Sequence, residues 1–426
     1  MKILKIIHGY PPNYNAGSEV YSQSICNELA KKHELSIFTR EANLYAPDHS
    51  IRQEYRDNIR FIICNKAREK DGYKHPDLDK KFAHLVQEIQ PDIAHVGHLN
   101  HLSTGFIAVL KKLQIPIVFT LHDFWLMCPR GQFLQINFAQ TSFYQLCSGQ
   151  EDKKCALNCY NRYFSGQTTD NTRDIDYWTD WIATRMHETR NIVKDVDLFI
   201  APSKYLAKRF IENFAMPKEK INYLDYGFPN HYLHPVNPSP STVFRFGYIG
   251  THIPAKGIDM LITAFSNINP KAILKIWGRS NGQSTKNLKK TANKCTNEVQ
   301  FLGEYMNENI AETVFSEIDC IIVPSIWGEN SPLVIHEAQA CGIPVITANF
   351  GGMKEYVQHL ENGLLFEHRN TNDLNEKMLF ALNHPEKMKA LGQKGYLYST
   401  DNKVPNIENH CKVLEETYKK LVHETA

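Results

Sequence analysis

Residues 320–348 restrict the fold of this chain more than any other stretch. Cys320-Ile321-Ile322-Val323 is an apolar, β-branched run that suits a buried strand. A loop follows, Pro324-Ser325-Ile326-Trp327-Gly328-Glu329-Asn330-Ser331. Ser331 is expected to cap a helix, with Pro332 at its first position, where a missing N–H costs nothing. Leu333 to Ala340 continue that helix, Gly342 closes it, and Pro344 keeps it from restarting before the next strand at Val345. Strand, loop, short helix and strand in this order form the repeating unit of an open parallel α/β sheet. The helix then begins beside the carboxyl end of a strand. Its unpaired N–H groups and its dipole suit an anion there.

Two carboxylates frame the helix. Glu329 precedes it, and Glu337 lies eight residues later, on the same side as Leu333 and Val334. A carboxylate at Glu337 can accept hydrogen bonds from vicinal hydroxyls such as those of a ribose, and Glu329 can do the same for a hexose. Glu-x7-Glu alone is also what an ordinary helix with an acidic first turn supplies. The whole run PSIWGENSPLVIHEAQACGIPVI, however, resembles the signature of retaining GT-B glycosyltransferases, specifically glycosyltransferase family four (group 1 type). That resemblance implies an α/β fold of the GT-B class, two facing Rossmann-like doubly wound domains with a C-terminal crossover helix. It implies a nucleotide-sugar donor held by Glu329, Asn330, Ser331, Leu333, Val334 and Glu337.

The rest of the chain alternates in the same way. Strands are expected at Lys2–His8, Leu35–Thr39, Ile59–Cys64, Ile93–Val96, Ile117–Leu121 and Val196–Pro202, with helices between them. Pro229, Pro235, Pro238 and Pro240 then crowd one short segment, the clearest composition shift in the sequence. The expected organisation is an acceptor-side domain over 1–235, a nucleotide-sugar domain over 241–405, and a helix over 406–426 that packs back on the first domain. In the second half a helix is expected at Asn307–Phe315 and another at Met353–Gln358.

The first half offers its own candidates. Gly9-Tyr10-Pro11-Pro12 breaks the first strand, and Gly17 permits close backbone approach in the loop that follows, with Ser18 as a helix cap. The family resemblance places this glycine loop across from the donor diphosphate. His122-Asp123 ends the strand Ile117–Leu121. In the family a His at this point faces the acceptor and the anomeric carbon, which makes His122 a candidate catalytic residue. Asp123 is expected to hold the His122 tautomer or to bind acceptor.

In the second half, Gly250-Thr251-His252-Ile253-Pro254-Ala255-Lys256-Gly257 follows a strand and opens a helix. Lys256 is expected on the donor phosphates, with Gly257 letting the helix start close by. Where the family carries an Arg, this chain has Thr251, so Thr251 or Arg279 must supply part of the leaving-group stabilisation. Arg279 and Tyr305 lie in loops that resemble those holding the nucleotide base. No Asp-x-Asp metal requirement is evident at this site, and Lys256 with the helix N-terminus makes a divalent ion unnecessary. No cofactor is therefore expected for catalysis.

Cys128, Cys147, Cys155 and Cys159 fall within 32 positions, in an insertion over about 126–170 that also holds Phe133, Phe138, Phe143 and Tyr144. Four thiolates can enclose a structural zinc, and an iron–sulfur cluster would use the same ligands. Reduced cysteines packing a loop are the alternative. Trp178 and Trp181 are read either as a surface for a lipid-linked acceptor or as ordinary packing.

The 426 residues exceed one typical core, and a formal charge of +2 gives no reason to expect nucleic acid. No signal peptide and no bilayer-spanning run is read, so a cytoplasmic protein is expected, with peripheral contact on the inner face of a membrane as the limit. The expected activity is hexosyl transfer with retention, from a UDP-, GDP- or ADP-linked donor to a hydroxyl of a glycan or lipid-linked acceptor, in surface polysaccharide or lipopolysaccharide assembly. The rival readings are a GT-B nucleotide-sugar epimerase or phosphorylase, and a non-catalytic partner subunit.

Overall fold

The computed structural model describes residues 1–66, 72–136, 144–165 and 171–425. The chain forms two compact units, Met1–Gly227 with Ile407–Ala426, and Phe228–Asn406. Among the described residues no helix is long and apolar enough to cross a membrane.

The first unit runs β1 (Lys2–Ile6), α1 (Gly17–Leu29), β2 (Glu34–Glu41), β3 (Ile51–Arg56), β4 (Ile59–Asn65), α2 (Pro76–Ile89), β5 (Ile93–Val96), α3 (Gly105–Lys112), β6 (Ile117–Thr120), β7 (Leu134–Gln135), β8 (Gln145–Leu146), α4 (Asp152–Cys159), α5 (Thr172–Asp195), β9 (Leu198–Ala201), α6 (Lys204–Phe214) and β10 (Ile221–Tyr223). Its main sheet has the order β10-β9-β6-β5-β1-β2-β4-β3. The ladder is parallel except at β3, which pairs antiparallel with β4 from Ile51 opposite Cys64 to Arg56 opposite Ile59. That edge strand reads IRQEYR and is mostly exposed, so it carries no apolar run to betray it, and its charges suit an edge. The central strands are buried on both faces, as helices on both sides of a parallel sheet require.

The helices bury the faces their periodicity dictates. In α2, Leu78, Phe82, Leu85, Val86 and Ile89 form one stripe. Ser203 caps α6 by accepting from the Leu206 N–H at 3.1 Å. Ser203→Ala should therefore cost about 1 kcal/mol, read as a lower urea midpoint at unchanged slope. In α4, Cys155, Ala156 and Cys159 pack with Tyr160, Ile182 and Met186, and Trp178 and Trp181 lean on that cluster. Phe138 and Phe143 lie outside the described residues.

The second unit runs β11 (Phe244–Ile249), α7 (Ile258–Ser266), β12 (Ala272–Trp277), α8 (Gly282–Ala292), β13 (Glu298–Gly303), α9 (Ile310–Thr313), β14 (Cys320–Val323), α10 (Leu333–Ala340), β15 (Val345–Ala348), β16 (Gly363–Phe366), α11 (Thr371–Asn383) and α12 (Pro385–Gln393). Its sheet has the order β13-β12-β11-β14-β15-β16 and is parallel throughout. The helix expected at Asn307–Phe315 breaks into 3-10 turns on either side of α9, because Val314 leaves helical geometry at φ −121°, ψ −62°. Met353–Gln358 shortens to a single 3-10 turn, Met353–Glu355.

The chain then re-enters the first unit as α13 (Ile407–Thr425). Ile407, Cys411, Leu414 and Tyr418 form its buried face. Two buried polar contacts fix it in register. The Tyr418 hydroxyl lies 2.6 Å from His95 Nδ1, and His410 Nε2 lies 2.8 Å from the Tyr21 hydroxyl.

Candidate functional site

In the second sheet the chain moves outward from β11 through β12 to β13, then returns to β14 on the other side of β11. Strand order therefore reverses between β11 and β14, and the crevice at their carboxyl ends is where an open α/β sheet binds ligands. The two loops that meet there are Gly250–Gly257 and Pro324–Pro332. Gly257 adopts φ +70°, and a Cβ on it would stand 2.0 Å from the Pro324 carbonyl oxygen. Only glycine permits that approach. The Ile326 N–H donates to the Ala255 carbonyl at 3.0 Å and locks the loops together. Lys256 and Glu329, 73 positions apart in sequence, consequently meet with Nζ 2.6 Å from Oε1.

A third loop supports the second from behind. The Gly352 N–H donates to the Glu329 carbonyl at 2.7 Å, and a Cβ on Gly352 would fall 1.3 Å from the Asn330 carbonyl oxygen. Helix α10 begins at Leu333, one residue later than expected. Pro332 is its N-cap at φ −65°, ψ 116°, and no side chain caps it. The expected cap by Ser331 is thus corrected: the extended Pro332 postpones the first turn beyond reach of the serine. The first N–H groups of α10, those of Leu333 and Val334, have no capping side chain, while the Ile335 N–H donates to the Pro332 carbonyl at 3.1 Å. Ser331 and Asn330 are buried beside them.

Glu337 follows on α10, 8% exposed, and burial pushes its carboxyl up to about 7. Tyr305 is close enough to Glu337 for the carboxylate to add to the effect of burial, and both hold the phenol well above its usual value. Loops after β11, β12 and β13 also join: the Gly250 N–H donates to the Trp277 carbonyl at 3.1 Å, His252 N–H to the Arg279 carbonyl at 3.0 Å, and Gly278 N–H to the Gly303 carbonyl at 2.7 Å. Thr251 and Arg279 share this end of the sheet, Thr251 receiving the Tyr248 hydroxyl on its carbonyl at 3.5 Å, while the Arg279 side chain is exposed.

The Glu337 value sets a pH dependence. A ligand hydroxyl donates its proton, so the ionised carboxylate binds one better than the protonated acid. Affinity for a ligand that donates hydroxyls to Glu337 should rise as pH increases from about 6 to about 8, by about tenfold, in line with the strength of a hydrogen bond to a charged group. Glu337→Gln should bind more weakly and lack that part of the slope, as read by calorimetry at each pH. Stability of the unliganded protein has the opposite trend. Between 4.5 and about 7 the folded state holds a proton that the unfolded chain releases, so stability falls as pH rises through that window.

Gly17, His122 and Asp123 belong to the first unit. Gly17 is the exposed first residue of α1, which begins there rather than after a Ser18 cap; the Ser18 hydroxyl donates to Glu19 at 2.8 Å instead of capping. His122 is half-buried, and loss of solvent around the ring first, then the Lys5 and His98 charges, hold its imidazole well below its usual value. It is therefore neutral and serves hydrogen bonding rather than proton storage. Its Nδ1 lies 2.6 Å from the Tyr226 hydroxyl. Asp123 does not set the His122 tautomer. It accepts from the Trp125 N–H at 2.7 Å and lies 3.3 Å from His98 Nε2. Since His98 Nδ1 accepts from the Asn100 N–H, His98 Nε2 carries the proton and donates to Asp123. The His8 and His98 rings stand 4.5 Å apart, and His8 Nε2 lies 3.4 Å from Glu19. His8, Glu19, His98 and Tyr226 were given no role by sequence reasoning. Their only signal is a polar residue directly after an apolar strand or early in the helix that follows one.

Cys128, Cys155 and Cys159 are buried, and Cys147 Sγ lies 3.0 Å from the Gly149 carbonyl oxygen. Burial pushes the thiols of Cys155 up to about 12 and Cys159 up to about 11. Among the described residues no group of three or more His, Cys, Asp or Glu side chains is placed to hold a metal ion. As placed, the four cysteines do not form the tetrahedral set their spacing suggested.

Residues 16–227 match the family profile described as Glycosyltransferase Family 4, and residues 232–398 match Glycosyl transferases group 1. A protein of Haemophilus influenzae described as an uncharacterized glycosyltransferase is 30% identical over 414 residues, covering 93% of this chain and 95% of that protein. An uncharacterized glycosyltransferase of Methanocaldococcus jannaschii is 31% identical over 205 residues, 48% of this chain and 54% of that protein. The chain spans about half the length of several curated relatives it matches, from 49% to 58%. Among solved structures, Anabaena HepE in complex with UDP-glucose superposes with a TM-score of 0.69 at 18% identity, covering 99% of this chain and 100% of that one.

Proposed function

Because the chain belongs to the group 1 glycosyltransferases of family four, with the GT-B fold, we propose that it moves a hexose from a nucleotide-sugar donor to a hydroxyl of a glycan or lipid-linked acceptor, with retention. The observation that carries this reading is the Lys256–Glu329 contact at 2.6 Å beside the uncapped N-terminus of α10. It places a cation, a carboxylate and unpaired N–H groups at one strand-order reversal. In the reaction the bond between the anomeric carbon and the β-phosphate oxygen breaks, and the acceptor oxygen bonds to that carbon. The acceptor proton passes to the departing diphosphate. Lys256 and the first N–H groups of α10 stabilise the charge that grows on the phosphate. Glu337 takes the ribose, Glu329 the sugar hydroxyls, and His122 with Asp123 the reacting and acceptor side. Thr251, Arg279 and Tyr305 border the diphosphate and base, and Gly17 allows close approach of its loop.

UDP-glucose is the first donor to test, because HepE was solved with it. The setting proposed is surface polysaccharide or lipopolysaccharide assembly, with peripheral membrane contact and a cytoplasmic location. The test of function is release of UDP, GDP or ADP from the matching nucleotide sugar. Release that depends on an acceptor alcohol supports transfer. Release of sugar phosphate would support a phosphorylase, and interconversion of free sugar nucleotides an epimerase. Proton NMR of the product reads the anomeric configuration, and an inverted linkage would refute retention.

A further inference from the structure

The loop after β14 places an unusual demand on one atom. Glu329 Oε1 lies 2.6 Å from Lys256 Nζ, 2.6 Å from the Ser325 hydroxyl and 3.0 Å from the Trp327 indole nitrogen. A carboxylate oxygen offers about two lone-pair sites, so three donors saturate Oε1. Oε2 accepts no hydrogen bond from the described residues. Trp327 and Ser325 are buried, at 5% and 2% exposure. An indole N–H can only donate, and a buried one needs an acceptor, so the tryptophan is committed to this carboxylate. The loop itself is fastened on both flanks, by Ile326 N–H to Ala255 and by Gly352 N–H to the Glu329 carbonyl.

We infer that Ser325 and Trp327 are positioning residues that dedicate one oxygen of Glu329 to the protein and reserve the other for the donor sugar. The inference rests on the donor reading above and deepens it. With Oε1 held by three donors, the carboxylate cannot rotate, and Oε2 is aimed before any ligand arrives. Catalysis gains from such preorganisation because no side chain must be ordered as the reaction proceeds. Oε2 is an acceptor only. It therefore selects a sugar edge that carries hydroxyl or amide donors and rejects one that carries a carboxylate. Lys256 is drawn into the same arrangement, since its partner is fixed from two further sides.

The test has two arms on the full chain. The first reads the Trp327 indole N–H resonance, identified among five tryptophans by its loss in Trp327→Phe. In Glu329→Gln and Glu329→Ala that resonance should move upfield as its charged acceptor is removed. A resonance that stays in place in both variants overturns the anchor. The second arm measures turnover of the nucleotide sugar and affinity for the nucleoside diphosphate. Trp327→Phe and Ser325→Ala should each lower kcat about tenfold, as loss of one hydrogen bond to a charged group allows. UDP affinity should stay within about twofold, because the groups proposed for the nucleotide, Glu337 and the N–H groups of α10, are untouched. Ser325→Thr, which keeps the hydroxyl, should recover most of the rate. Parallel loss of kcat and UDP affinity would assign both residues to folding of the loop and overturn the inference. If the wild-type protein binds no nucleoside diphosphate, the donor reading fails by itself, and the indole resonance still decides the anchor.

Discussion

Lys256→Ala is expected to lower kcat/KM for the nucleotide sugar by on the order of 10²–10³, the usual cost of deleting one preorganised charge-stabilising donor. The reason lies in where charge grows. The departing diphosphate gains negative charge as the anomeric bond breaks, and an ammonium fixed beside it is worth more in that transition state than in the ground state. In the free protein Lys256 is held by Glu329 at 2.6 Å, so its position needs no ligand to define it. Deleting it also leaves Glu329, 6% exposed, without its cation, although Ser325 and Trp327 still donate. The loss should fall more on kcat than on UDP affinity. Lys256→Arg should rescue poorly, because a planar fork does not fit a point contact with one carboxylate oxygen. Steady-state kinetics with saturating acceptor decide the matter. Wild-type rates in Lys256→Ala would remove this lysine from the chemistry.

Lys5→Met should stabilise the first unit by about 3 kcal/mol at pH 7. Lys5 lies on β1, 1% exposed, and its Nζ has no hydrogen-bond partner among the described residues. A Cβ on Gly97 would stand 3.3 Å from Lys5 Nζ and 3.5 Å from the Ser22 hydroxyl, so the ammonium lies against packed backbone. Burial lowers the ammonium from 10.5 to about 8. Each pKa unit is worth about 1.4 kcal/mol, which gives the expected gain. The sign follows from proton counting. Between about 8 and 10.5 the folded state holds fewer protons than the unfolded chain, so wild-type stability rises with pH across that window. Below it both states are protonated and the full cost of a buried charge applies. Methionine has nearly the same length and no charge to bury. Urea titrations should therefore show a gain at pH 7 that shrinks as pH approaches 10.5. A variant no more stable than wild type at pH 7 would mean that the ammonium is solvated where it sits.

Much of the fold was legible along the chain, for reasons that act over a few residues. The strands at Ile93–Val96, Cys320–Val323 and Val345–Ala348 could be read from apolar, β-branched runs between turn residues. The helix Leu333–Ala340 followed from the Gly342 and Pro344 that close it. What escaped was whatever depends on a distant partner. The edge strand Ile51–Arg56 is defined by pairing with β4 and not by its own composition. Ser331 has the chemistry of a cap, yet the backbone at Pro332 denies it that role. Asp123 follows His122 in sequence and still turns to His98, which arrives from a different strand end.

The candidate site divides along the same line. Sequence by itself determined the chemistry available: two carboxylates eight positions apart, a lysine in a glycine-bounded turn, a helix that starts where a strand ends, and a family signature around them. Tertiary structure alone decided which of these groups touch. Local propensities fix φ and ψ over one or two turns, but the order in which parallel strands assemble is set by burial over the whole sheet. It is that order, with β14 beside β11, that carries Glu329 across 73 positions to Lys256 and lets Ser325 and Trp327 hold it there.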